Sequence, residues 1–171
     1  PDGGYGKLAA RLAGVLLRQG TSGDLLPDYY DWRNGERSDE ITSSYLDLRA
    51  LGKLAERDPA WRPIRDRALE LLVSARLPGG MFRKTYRISE GLWLEQDSFN
   101  MIDVLYAAGH LAAAGVGIPE TLDMIERKWR EDGELHAVYD REWRTVDASI
   151  SPAVYALAGW LLTDAGRADT A

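Results

Sequence analysis

Cysteine is absent from this 171-residue chain, so no disulfide contributes to its fold and thiol usage says nothing of its redox compartment. Histidine is nearly absent as well. Only His110 and His136 occur, far apart, which argues against a zinc site or a histidine-driven nucleophile. No stretch approaches the ~18 or more apolar residues of a membrane span, and no signal peptide is visible. An excess of basic residues is missing too. The net charge is -6, which disfavours nucleic acid or an anionic lipid surface as partner. Gly3-Gly4-Tyr5-Gly6 follows no strand, so it is no phosphate-binding loop. No cofactor or metal is expected.

The composition is otherwise ordinary for a globular protein, with 45% hydrophobic and 28% charged residues. Aromatics are skewed, with six Trp and eight Tyr against two Phe. Trp and Tyr carry flat apolar faces with a polar edge, on which sugar rings stack, although any one of them serves more often as packing.

Periodicity predicts six helices, over about 5–18, 41–56, 59–77, 98–114, 119–131 and 151–163. Asp58-Pro59 reads as an N-cap followed by proline at the first helical position. The first, third and fifth helices pair an apolar stripe with a charged face. The fourth has few polar groups and the sixth runs from Pro152 to Leu162 without a charge, which predicts burial all round. Connections alternate in length as well. Those over 19–40, 77–97 and 132–150 are long, and the others are short turns. In a series of antiparallel hairpins every second loop lies at the same end, so the long loops are expected to converge beside the inner helices. The repeat of roughly 55 residues predicts an all-α fold, an α/α toroid of helical hairpins with short β-hairpins in the long loops. Residues 1–171 then form a single domain, about half of a six-hairpin barrel and incomplete at its N-terminus. A free-standing six-helix bundle is the alternative, but it leaves the one-sided long loops unexplained.

The long loops hold Tyr29, Tyr30, Trp32, Phe82, Tyr86, Trp93, Tyr139 and Trp143, together with Asp28, Asp31, Glu90, Glu95, Asp97 and Asp140. Carboxylates among aromatics in a cleft suit glycoside hydrolysis. Here the motifs become specific. Asp31-Trp32, Ser43-Ser44-Tyr45-Leu46, Gln96-Asp97-Ser98-Phe99-Asn100, Gly133 to Asp140 and Ile150-Ser-Pro-Ala-Val-Tyr-Ala156 occur in an order and spacing that resemble the C-terminal half of glycoside hydrolase family 8. The resemblance covers nearly the whole chain. It implies hydrolysis of a β-linked polysaccharide, a β-1,4-glucan or bacterial exopolysaccharide, by an inverting mechanism in an extracellular or cell-envelope setting. By position Asp97 matches the family's base, and Trp32, Tyr45, Trp93, Gln96, Asn100 and Tyr139 become sugar contacts.

Gln96, Asn100 and Ile150 stand where the family has Tyr, Arg and Glu. The family's general acid belongs to a segment expected to precede this chain, and Glu90 within Ser89-Glu90-Gly91 is a fallback acid. Asp97 is expected at the start of the fourth helix, near Tyr45. Without the resemblance, Asp97 or Ser98 reads as a helix cap. The chain alone is expected to be inactive and to bind its missing N-terminal half or a second copy through an apolar flank. Two further readings are a non-catalytic carbohydrate-binding or scaffold protein, and a helical interaction domain without a groove.

Overall fold

The computed structural model describes residues 5–167. Its helices are α1 (Tyr5–Val15), α2 (Leu48–Arg57), α3 (Arg62–Ser74), α4 (Met101–Ala113), α5 (Pro119–Asp132) and α6 (Pro152–Asp164). A π-helical turn, Leu16–Gly20, extends α1, and a 3-10 turn, Pro59–Trp61, leads into α3. Between these lie short strands: β1 (Tyr30–Asp31), β2 (Glu36–Arg37), β3 (Glu40–Thr42), β4 (Thr85–Arg87), β5 (Leu92–Trp93), β6 (Ser98–Asn100), β7 (His136–Asp140) and β8 (Thr145–Ile150).

About half of the described residues are helical, and the strands form antiparallel sheets β1-β2, β3-β4-β5 and β6-β7-β8. The chain is therefore not purely all-α, and two of its sheets exceed the simple hairpins expected. Both three-stranded sheets arise where a strand of one loop pairs with a hairpin of the next. β3 comes from the first long loop and pairs with β4 of the second, while β6 of the second pairs with β7 of the third. Hydrogen bonds add to this. Arg141 Nη2 lies 2.7 Å from Glu95 Oε2, and Trp143 Nε1 donates to the Gly79 carbonyl at 3.1 Å. The three long loops thus meet at one end, as the alternating connections predict.

Two helices begin later than their periodicity suggests. Residues 41–42 belong to β3, because Asp28 accepts hydrogen bonds from both the Thr42 amide and its hydroxyl, each at 2.6 Å. Ser43–Tyr45 form a 3-10 turn, and Asp47 then caps α2 by accepting from Ala50 N at 2.9 Å. Likewise 98–100 are strand, and the cap of α4 is Asn100, whose Oδ1 accepts from Ile102 N at 2.9 Å. The Asp58-Pro59 start holds, since Asp58 Oδ1 accepts from Ala60 N at 3.0 Å.

One hydrophobic cluster joins α2, α3, α4, α5 and α6, with Trp61, Leu72, Phe99, Met101, Leu105, Leu111 and Leu161 almost fully buried. Each such side chain contributes about 1.5–3 kcal/mol. α4 is the central helix, with seven buried residues and packing against α2, α3 and α6. α6 departs from expectation. Val154, Ala158, Leu161 and Leu162 face the core, while Ala153, Ala156 and Trp160 on the opposite side are exposed. Periodicity puts Leu8, Leu12, Val15 and Leu16 on one stripe of the first helix, and of these Leu8, Leu12 and Leu16 are exposed while Val15 is half-buried. The toroid expectation is corrected accordingly. Among the described residues the helices pack around α4 with small antiparallel sheets between them, and α1 and α6 each keep apolar residues exposed.

Candidate functional site

The turn Ser43–Tyr45 packs against the first turns of α4, and the two elements build a cleft between them. Ser44 organises it. Its hydroxyl donates to Asp103 Oδ1 at 2.7 Å, and its carbonyl accepts from His110 Nε2 at 3.0 Å. Lys84, just before β4, places its ammonium 2.8 Å from Asp103 Oδ2. Asp103 therefore ties together all three segments at the α4 N-terminus. That position suits a carboxylate, because the free N–H groups of a first helical turn favour negative charge.

The cleft holds about 460 Å³ and is lined by Ser44, Tyr45, Asp47, Ile102, Asp103, Tyr106 and His110. Tyr45 is 68% exposed and Tyr106 45%, so both rings are open to a ligand. Tyr106 stacks on His110 with ring centroids 6.1 Å apart and an interplanar angle of 23°. A second hollow continues along α4 towards α6, lined by Asp47, Arg49, Tyr106, Gly109, His110, Ala113 and Trp160. Exposed rings, hydroxyls and carboxylates in a concave site are the groups that grip a sugar.

Of the residues singled out from sequence, Tyr45 stands in this cleft. Asp97 does not begin α4. It is exposed, immediately precedes β6, and lies three residues before the cap Asn100. Its charge contributes to the field around Arg141, whose pKa is raised first by the hydrogen bond to Glu95 and further by the neighbouring carboxylates. Gln96 is committed to the loop. Its Oε1 accepts from Lys84 N at 2.9 Å and its Nε2 donates to the Phe82 carbonyl at 3.4 Å. Since Lys84 also holds Asp103, the Gln96-Asp97 dipeptide is linked to the cleft through that lysine.

Trp93 sits edge-on to Tyr86 and donates from Nε1 to Ser74 Oγ at 3.0 Å. Trp32 is 66% exposed in the β1-β2 hairpin with its ring against Tyr30. Glu90 lies at the β4-β5 turn, paired with Arg87 at 3.3 Å. Tyr139 is corrected. It is 0% exposed, and its hydroxyl accepts from His136 N at 2.9 Å, so it packs the core and presents no face to a ligand.

Asp103, Tyr106, His110 and Asp47 were missed because they lie inside helices or at caps, where they read as the polar residues of an inner helix. Their spacing carried a signal. Residues 103, 106 and 110 recur at i, i+3 and i+7, a polar stripe on an otherwise apolar helix.

No family model matches the chain. It is 28% identical over 160 residues to a Bacillus subtilis (strain 168) protein described as "Putative lipoprotein YdaJ", covering 93% of this chain and 44% of that one. Among solved structures it is similar to one described as a novel alpha-amylase from Clostridium perfringens, with a TM-score of 0.90 and 21% identity over 99% of this chain and 51% of that one. It is similar also to PssZ from Listeria monocytogenes, with a TM-score of 0.76 and 20% identity over 96% of this chain and 51% of that one. At these identities the likeness is one of fold alone. The chain spans about half the length of the proteins it matches.

Proposed function

We propose that this chain contributes one side of the active site of a polysaccharide hydrolase of family 8 type. The observation that carries the reading is the cleft at the loop end of α4, where the exposed rings of Tyr45 and Tyr106 flank Asp103 and the Gln96-Asp97 segment is braced through Lys84. A glycosidase-like fold supports it. The substrate would be a β-linked glycan cleaved with inversion, in which one carboxylic acid protonates the leaving oxygen and a second carboxylate activates water. Asp97 takes the base role. Its exposure leaves the carboxylate accessible to water, as a base requires. The acid comes from the remainder of a longer protein. General acid catalysis contributes about 10²–10⁴-fold, so the chain alone is inactive. Trp32, Tyr45 and Trp93 are the sugar contacts retained. The exposed stripes of α1 and α6 are where the remaining structure packs. A cell-envelope setting is supported by the relative described as a lipoprotein.

The solved structure described as an alpha-amylase favours a second reading, in which the glycan is α-linked. The test is release of reducing ends from a soluble β-1,4-glucan and from soluble starch by the full-length protein and its Asp97→Asn variant. Loss of hydrolysis with an unchanged melting temperature is expected, since Asn100 and not Asp97 caps α4. Equal rates would remove Asp97 as base. Binding of glycan without cleavage by either protein would indicate a carbohydrate-binding protein.

A further inference from the structure

Among the described residues only Trp143, besides glycines, has a positive φ, +65°, which a bulky L side chain adopts at a cost. The surroundings hold it there. The indole is buried, donates from Nε1 to the Gly79 carbonyl at 3.1 Å and packs on Tyr139 with ring centroids 5.4 Å apart. Asp140 fixes the turn itself. Its Oδ1 accepts from the amides of Glu142 and Arg144, each at 2.9 Å, and its carbonyl accepts from the Trp143 amide at 3.1 Å. Arg141 stands inside this turn, so its backbone is held on both sides.

From there Arg141 crosses to the second long loop. Its Nη2 lies 2.7 Å from Glu95 Oε2 and 3.5 Å from the Gln96 carbonyl oxygen. Asp97 comes next. Its charge reaches the guanidinium, yet its carboxylate accepts no hydrogen bond among the described residues. Glu95 thus occupies the arginine and leaves Asp97 open to water. On the other side the Lys84 amide grips Gln96 at 2.9 Å, and Ser98 pairs with Asp140, the residue before Arg141. The segment is clamped all round while its carboxylate stays uncombined. The clamp adds little to folding, because an ion pair with side chains 50% and 72% exposed contributes little stability. A strained, buried anchor that fixes such a pair serves position.

We propose that Arg141 is a positioning residue for Asp97, holding segment 95–97 so that the carboxylate meets the attacking water. The inference rests on the base role of Asp97 and adds the residue that acts through it.

Steady-state hydrolysis of soluble β-1,4-glucan and of soluble starch by the full-length protein tests it, with Arg141→Met, Arg141→Lys and Asp97→Asn. On whichever glycan is cleaved, Arg141→Met should lower kcat about 10–100-fold, the cost of a small misplacement of a reacting group. KM should stay within about twofold, since no binding contact to the glycan is removed. Arg141→Lys should recover most of the loss, because the pair is made through one nitrogen and lysine keeps the charge and a donor. The melting temperature should not change. An unchanged kcat, a change in KM alone, no recovery with lysine, or a lowered melting temperature in Arg141→Met overturns the positioning role, and a loss of rate in Asp97→Asn then leaves the base reading standing. A wild-type rate in Asp97→Asn, or no cleavage of either glycan by the wild-type protein, overturns both.

Discussion

Replacing Gly80 with alanine should be among the most damaging small substitutions in the loop region. Gly80 has φ +87°, a conformation that L side chains rarely adopt. A Cβ there would lie 2.5 Å from Thr121 N, 2.6 Å from Thr121 Cα and 2.7 Å from Glu120 C. All three are backbone atoms of the first turn of α5, so no rotamer change relieves the clash. Relief requires shifting α5 away from the second long loop, which also strains the bond from Thr121 Oγ1 to the Gly80 carbonyl at 2.9 Å. The left-handed φ costs about 1–3 kcal/mol and overpacking about 1–3 kcal/mol, roughly 2–6 kcal/mol together. Gly79 supplies the control. Its φ is +83°, but a Cβ there meets only the Trp143 side chain, with Nε1 at 3.2 Å and Cδ1 at 3.9 Å. Gly79→Ala should therefore carry the conformational cost, about 1–3 kcal/mol, and little more. Urea denaturation of both variants measures the difference, and a melting shift of about 2–4 °C per kcal/mol is expected for a chain of this size. If Gly80→Ala is no more destabilised than Gly79→Ala, the close contact of this loop with α5 is not the constraint argued here.

Asp39 titrates below the ordinary 3.8 because the Ser89 hydroxyl and amide both donate to its carboxylate. Its depressed pKa adds stability above the unfolded value that is lost as pH falls through the folded one. A carboxyl NMR titration should place its midpoint below 3.8, with a return upward in Ser89→Ala, and an unchanged midpoint in that variant would contradict the assignment. Tyr139→Phe leaves the His136 amide without its acceptor inside the core and should cost about 1–3 kcal/mol in a thermal melt, while leaving glycan binding intact. The open apolar stripes predict self-association of the chain when it is made alone. Leu12→Lys with Trp160→Glu should shift light scattering towards monomer, and a wild-type monomer at high concentration would count against a docking role for these faces.

What the sequence determined by itself is the set of helices, the alternation of long and short connections, and the end at which the long loops gather. These follow from local periodicity and from chain connectivity, which need no knowledge of partners. Asp58-Pro59 was legible as a helix start because its hydrogen bond spans two residues. Only tertiary structure decided the rest. Thr42 is extended because Asp28, fourteen residues away, accepts both of its hydrogens. Ser98–Asn100 are strand because β7 pairs with them, although 98–114 continues a helical pattern. Tyr139 and Tyr45 look alike in sequence, and one is buried while the other is open. Their difference comes from what the tertiary fold packs over each ring: Tyr139 lies against Trp143 in the core, whereas the Ser43–Tyr45 turn leaves Tyr45 at the surface.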